Sequence, residues 1–327
     1  MSWFERRGLE LVPSDMEYQG WIEDMSRAGL NLLVMHIPRS TEELISYARS
    51  DEFARLSEKA DRAGIDIEWA PHALGYLLPR DECATHPDWF RMDLLGNRNP
   101  DWNLCPSSEQ ALEVVARNAA SLARTLRPTT HRYYMWSDDG RPWCHCPDCA
   151  SLTQADQNAI VMNTIIRAVR ELDPLAMLSG LAYHNTLEPS DSVRFADGVF
   201  LEYAPIQRCF LHPLSDSECS VNRVEMAKLD ALMKDHPDRG NAQVLEYWLD
   251  ESLFWRTAGR PDELPRLPFS LGVLGRDLQL YADLGFRSVV SYAVLLGSRY
   301  RQTHGVPPVQ EYGEALQEIR GPRVNEG

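Results

Sequence analysis

Eight short runs of β-branched and other apolar residues, spaced by amphipathic or irregular stretches, constrain this chain more than any other feature. They cover residues 8–12, 31–36, 66–70, 132–136, 176–183, 198–203, 242–248 and 288–295. Helical periodicity fills much of the space between them, over 15–28, 40–63, 107–126, 154–172 and 271–284, with a last helix over 309–319. Ser40-Thr-Glu-Glu opens the second of these as a capping box would. Strands that alternate with helices call for a parallel sheet. No glycine-rich dinucleotide fingerprint follows the first strand, so a closed (β/α)8 TIM barrel fits better than a doubly wound sheet. The pattern predicts a single catalytic barrel domain over residues 1–327, with a long loop after strand 3 and a cysteine-rich loop after strand 4.

Composition narrows the function classes. A chain of 327 residues, 44% of them hydrophobic, can bury a large core. The net charge of −15 and the absence of a basic run argue against a nucleic-acid partner. No stretch approaches the length of apolar residues that spans a bilayer, which predicts no membrane partner. The start, Met1-Ser-Trp-Phe-Glu-Arg-Arg-Gly8, lacks the apolar core of a secretory signal, so the expected location is the cytoplasm. Seven cysteines (Cys83, Cys105, Cys144, Cys146, Cys149, Cys209 and Cys219) are an odd number and do not suggest a disulfide scaffold. Reduced thiols, some of them on a metal, fit better.

The richest segment runs from Arg132 to Cys149. A strand ends in Asp138-Asp139-Gly140, and three thiols follow as C-x-C-x-x-C. Cys144, Cys146 and Cys149 form three-quarters of a structural zinc site, whose fourth ligand is open among His145, Cys105, Cys209 and Cys219. The plain alternative is three ordinary loop thiols. Catalysis in a TIM barrel takes place at the C-terminal ends of the strands. Those ends carry His36, His72, Asp138, Asp139, His184, Asn185, Glu202, Tyr203, Glu246, Tyr247, Trp248 and Tyr292. Singly, each reads as well as a solvated strand end, and Asp-Gly is a frequent turn pair. As a set they predict one mouth.

Paired carboxylates suit glycoside hydrolysis, one protonating the departing oxygen and the other attacking or activating water. The expected roles are Asp139 as acid, Asp138 as its tuning partner, and Glu246 or Glu202 as second carboxylate. His72, Trp136, His184, Asn185, Tyr203, Arg208, Trp248 and Tyr292 are expected to hold the sugar. Trp89, Trp102, Trp143 and Trp255 add flat faces nearby, whereas Trp21 and Trp69 read as core. Arg208 and His212, after strand 6, could grip a substrate carboxylate. Two other readings remain. A metal-dependent sugar isomerase or lyase would use His36, His72 and His184 with Glu202 or Glu246, and a barrel without catalysis would only bind carbohydrate.

Three segments carry a resemblance: His86-Pro-Asp-Trp-Phe90 with Asn103-Leu-Cys-Pro106; Asp138-Asp-Gly140 with the three cysteines; and Arg208-Cys-Phe-Leu-His-Pro213 with Cys219. Together they resemble the barrel domain of bacterial carbohydrate-utilisation proteins that is related to the α-glucuronidase-type glycoside hydrolases. The resemblance implies action on an oligosaccharide or glycoside, of a uronic acid or an acetamido sugar, with no organic cofactor. It places Asp139 on the family's Asp-Gly step and Glu246 where a base or nucleophile is expected.

Overall fold

Residues 2–36, 40–236, 240–257 and 264–322 are described in the computed structural model of the chain. The order is β1 (Arg6–Leu11), α1 (Trp21–Arg27), β2 (Leu32–Met35), α2 (Thr41–Ala48), α3 (Asp51–Ala63), β3 (Asp66–Trp69), α4 (Leu74–Leu77), α5 (Glu109–Thr125), β4 (Arg132–Tyr133), α6 (Gln154–Arg170) and β5 (Met177–Ala182). It continues through β6 (Val199–Tyr203), α7 (Ser220–Asp235), β7 (Gln243–Glu246), α8 (Glu251–Thr257), α9 (Leu271–Asp283), β8 (Ser288–Tyr292), α10 (Ser298–His304) and α11 (Val309–Glu318).

All eight strands are parallel, in the order β3-β2-β1-β8-β7-β6-β5-β4. The seam between β3 and β4 is stitched just beyond the strand ends. His72 bridges Trp136, the Trp136 amide donates to Pro71 O at 3.0 Å, and the Ala73 amide donates to Trp136 O at 2.9 Å. The sheet is therefore a nearly closed (β/α)8 barrel, as the alternation requires.

Two helical stretches divide where the sequence pattern runs on. The expected 40–63 helix is two, because Ser50 starts afresh: its hydroxyl accepts from the Phe53 amide at 3.1 Å, as Ser40 does from Glu43 at 3.3 Å. The 15–28 stretch begins as a 3-10 turn over Pro13–Glu17 and becomes α-helical only at Trp21.

Residues on each strand alternate between two buried faces. Leu9, Leu33, Met35, Ile67, Tyr133, Leu201, Tyr203, Val244, Trp248 and Val289 face the helices and join the main core. Leu32, Val34, Tyr134, Phe200, Leu245, Tyr247 and Val290 fill the barrel. The barrel interior also holds polar side chains that satisfy one another. Tyr134 Oη donates to Glu68 at 2.5 Å, Ser288 Oγ to Gln243 Oε1 at 2.7 Å, and Gln243 Nε2 to Glu202 at 2.8 Å. The Arg132 guanidinium lies 3.6 Å from the centre of the Phe200 ring.

Candidate active site

The C-terminal end of the barrel opens into a cavity of about 590 Å³. Its floor is aromatic. Trp136, 2% exposed, closes the barrel centre, with Tyr247 and Tyr292 stacked beside it at 5.5 Å and 13°. His36 packs between Trp136 (5.6 Å) and Tyr292 (5.4 Å), and His72 lies 5.3 Å from Trp136. Tyr183, Trp102 and Trp255 continue the wall.

Both floor histidines are fixed by their Nδ1 atoms. His36 Nδ1 is 2.5 Å from Ala70 O and His72 Nδ1 is 2.6 Å from Ser137 O. A carbonyl accepts only from a protonated ring nitrogen, so each ring keeps its Nε2 as the atom for further contacts. Burial, with His72 adding to it, lowers the His36 imidazole to about 3, which keeps that ring neutral.

Asp138 and Asp139 sit at the mouth in different roles. Asp138 Oδ2 accepts from Arg80 and from the Asn103 amide at 2.6 Å, while the Asp138 amide donates to Asn103 Oδ1 at 3.0 Å. Asn103 is fully buried and donates on to Arg141 O and Pro142 O. Asp138 thus fastens the loop after β4 to the long loop after β3. The segment is also the turn that Asp-Gly suggested, with the Arg141 amide donating to Asp138 O at 3.1 Å and Gly140 at φ +59°. That turn leaves Asp139 exposed on the cavity wall.

Five expected site residues lie elsewhere. Glu246 faces the helices, fully buried, where Oε1 accepts from Arg208 Nη1 at 2.6 Å and from the Tyr281 hydroxyl. Arg208 also pairs with Asp277 at 2.8 Å, and Trp248 Nε1 donates to Asp277 at 3.2 Å. Tyr203 packs in the same layer. Glu246, Trp248 and Tyr203 therefore belong to the layer between strands and helices, because their neighbours Tyr247 and Glu202 take the inward positions, and Arg208 joins them from the loop after β6 through its ion pairs. Glu202 does point inward, but below the floor. It accepts from Trp136 Nε1 at 3.0 Å, from Gln243 and from the Ser179 hydroxyl, with no exposed surface. Burial raises its carboxyl to about 7.

Two more expected residues, His184 and Asn185, lie outside the cavity lining. His184 contacts Gln207 at 3.0 Å and adjoins Gly140, and Asn185 donates to Arg141 O and Gln154. Among the aromatics, Trp102 and Trp255 line the cavity, but Trp89 is core, stacked on His86 at 3.9 Å, and Trp143 is buried. Sequence reasoning missed Asp250. It lines the cavity at 4% exposure, and its Oδ1 caps α8 by accepting from Ser252 N at 3.0 Å and Ser252 Oγ at 2.6 Å. The capping position, just before an acidic first helical residue, was the available signal.

The cysteine loop finds its partner at Cys105. The sulfurs of Cys105, Cys144, Cys146 and Cys149 are buried within 4.8 Å of one another and can hold a metal ion, whereas His145 is exposed. Among the described residues no such group forms in the mouth, and His36, His72 and His184 do not converge.

Residues 39–232 match the model of a domain of unknown function, DUF4838. The chain belongs to the DUF4838 family. No curated protein matches this DUF4838 chain. Among solved structures, the β-galactosidase from Rahnella sp. R3 superposes with a TM-score of 0.60 at 14% identity, over 99% of this chain and 59% of that one. Gan42B, a GH42 β-galactosidase, gives 0.56 at 13% identity, over 100% of this chain and 59% of that one. PbGH5A, a glycoside hydrolase family 5 enzyme from Prevotella bryantii B14 solved with a xyloglucan tetradecasaccharide, gives 0.51 at 14%, over 92% and 85%. The DUF4838 chain thus spans about three-fifths of the length of the two galactosidases, and at these identities the likeness is one of fold.

Proposed function

We propose that the chain is a glycoside hydrolase whose active site is the cavity at the C-terminal end of the barrel. One observation carries the reading. Two carboxylates, Asp139 after β4 and Asp250 after β7, line one cavity of small-ligand size together with the aromatic floor. Flat rings bind the C–H faces of sugars, and two carboxylates across the ring are what glycosidic cleavage needs. The barrel neighbours are glycoside hydrolases by their titles, which supports the same class.

In this mechanism Asp139 donates the proton to the leaving oxygen, and Asp250 attacks the sugar or activates water. Asp250 replaces Glu246 and Glu202, neither of which lines the cavity. Asp138 is a positioning residue that holds the turn through Arg80 and Asn103. His36 and His72, with Nδ1 committed to carbonyls, offer Nε2 to sugar hydroxyls. For a uronic acid, Arg141 is the cation among the described lining residues, 4.9 Å from the Trp102 ring. It takes the part that sequence reasoning gave to Arg208.

The same reading assigns zinc to Cys105, Cys144, Cys146 and Cys149. Zinc–sulfur bonds of about 2.3 Å in a tetrahedron set sulfurs about 3.8 Å apart. Cys105 lies 3.6 Å from Cys146 and 3.8 Å from Cys149. The Met92 and Cys146 amides donate to Cys144 Sγ at 3.2 and 3.4 Å, as they would to a metal-bound thiolate. Four thiolates leave no open position, so the ion is structural and joins the loops that carry Asn103 and Asp138.

The test is turnover of a panel of aryl glycosides, including glucuronides, galactosides and N-acetylated sugars. Asp139→Asn should spare substrates with activated leaving groups and abolish the rest, because only poor leaving groups need the proton. Asp250→Asn, which keeps the helix cap, should abolish both. Sugar binding without turnover of any panel member would leave a binding barrel, and equal loss on both substrate classes in Asp139→Asn would remove it as the acid.

A further inference from the structure

Outside the mouth and the four-cysteine cluster, the loop between β6 and α7 gathers a second set of soft donors. Cys209 Sγ, His212 and Cys219 Sγ present ligand atoms within 4.8 Å of one another, with Cys209 Sγ 3.3 Å from His212 Nδ1. We propose that these three residues form a second metal site, for a zinc-class divalent ion, independent of the four-cysteine site.

Two thiols and an imidazole form a borderline-soft set that favours zinc over the hard magnesium and calcium ions. Zinc bonds of about 2.3 Å to sulfur and about 2.0 Å to nitrogen, at the tetrahedral angle, set the donors about 3.5 Å apart. The 3.3 Å contact is close to that edge. His212 is exposed and the two cysteines are half-buried, so the fourth position faces solvent and takes water. Binding releases the thiol protons to solvent as the metal–sulfur bonds form.

The backbone that carries the ligands is held independently of any ion. Asn222, fully buried on α7, accepts from the Cys209 amide at 2.8 Å and donates to Cys209 O, His212 O and Pro213 O at 2.9–3.0 Å. Arg208 Nη2 adds a bond to His212 O at 3.0 Å. Cys219 is the N-terminal cap residue of α7, where the helix dipole favours a thiolate. A surface loop clamped this way loses little freedom when a metal binds. The ion would fasten the outer part of a loop that reaches the cavity through Ile206 and packs Phe210 on Tyr247, with ring centres 6.4 Å apart.

The experiment is metal stoichiometry on the whole reduced chain, loaded with Zn2+, desalted and measured by mass spectrometry. His212→Ala and Cys219→Ser should each carry one equivalent fewer than the wild type while keeping its circular-dichroism spectrum. That difference does not depend on occupancy of the four-cysteine site. Co2+ should give a sulfur-to-metal charge-transfer band that the variants lose in part, and the affinity for the second ion should fall about 100-fold or more. Equal metal content in wild type and both variants would overturn the proposal. So would thiol titration showing Cys209 and Cys219 joined as a disulfide in the reduced, metal-loaded protein.

Discussion

Replacing Glu246 by alanine separates a structural from a catalytic reading of this carboxylate. Glu246 and Arg208 have no exposed side-chain surface, and Arg208 spans Glu246 at 2.6 Å and Asp277 at 2.8 Å. The Tyr281 hydroxyl donates to the same Glu246 oxygen. Burial pushes the Glu246 and Asp277 carboxyls upward, while the two acids hold Arg208 firmly charged. In Glu246→Ala the Arg208 Nη1 and the Tyr281 hydroxyl lose their partner inside the core. Removing one member of a buried pair costs about 3–5 kcal/mol. At about 2–4 °C per kcal/mol for a domain approaching this size, the melting midpoint should fall on the order of 10 °C. Differential scanning calorimetry reads the midpoint, and turnover well below it reads the site. The expected result is a lower midpoint with turnover per folded molecule within about fivefold of wild type. An unchanged midpoint with abolished turnover would refute this reasoning and return Glu246 to the chemistry.

Two further outcomes follow from buried groups. Cys105→Ser should release the metal of the four-cysteine site and lower the melting midpoint, whereas His145→Ala should do neither; metal analysis with a melting curve checks both. Glu202 titrates at about 7 in the fold against 4.5 unfolded, so the native state binds the extra proton. Glu202 alone should therefore account for roughly 3 kcal/mol of the stability that the wild type loses as pH rises from about 4.5 to 7. Glu202→Gln should flatten that slope in denaturant titrations, whatever its offset, and parallel curves would refute the assignment.

The fold was legible because its signals are local. Apolar runs of strand length, helical periodicity and serine caps depend on neighbours in sequence, and the eight strands appear within a few residues of where the pattern puts them. The turn at Asp138-Asp139-Gly140 and the contacts of Trp136, His72 and Tyr292 with the mouth were also within reach. Each follows a strand end, and the barrel puts all such ends at one rim.

What the sequence could not decide is which way each strand faces. Strands of a parallel barrel are buried on both sides, so 242–248 shows no polar–apolar alternation to mark the interior. A shift of one residue exchanges Glu246 with Tyr247, and Glu202 with Tyr203. Only the closed barrel and its helices settle that Glu246 meets Arg208 and that Glu202 lies beneath Trp136. The same holds for contacts across long intervals. Cys105 joins Cys144, Cys146 and Cys149, and Asn103 joins Asp138, because the bridge between His72 and Trp136 brings the loops after β3 and β4 together. By itself the sequence determined the barrel and the inventory of acids, rings and thiols at its rim. Tertiary structure decided which of them share a cavity, since side-chain direction and loop proximity are properties of the closed sheet.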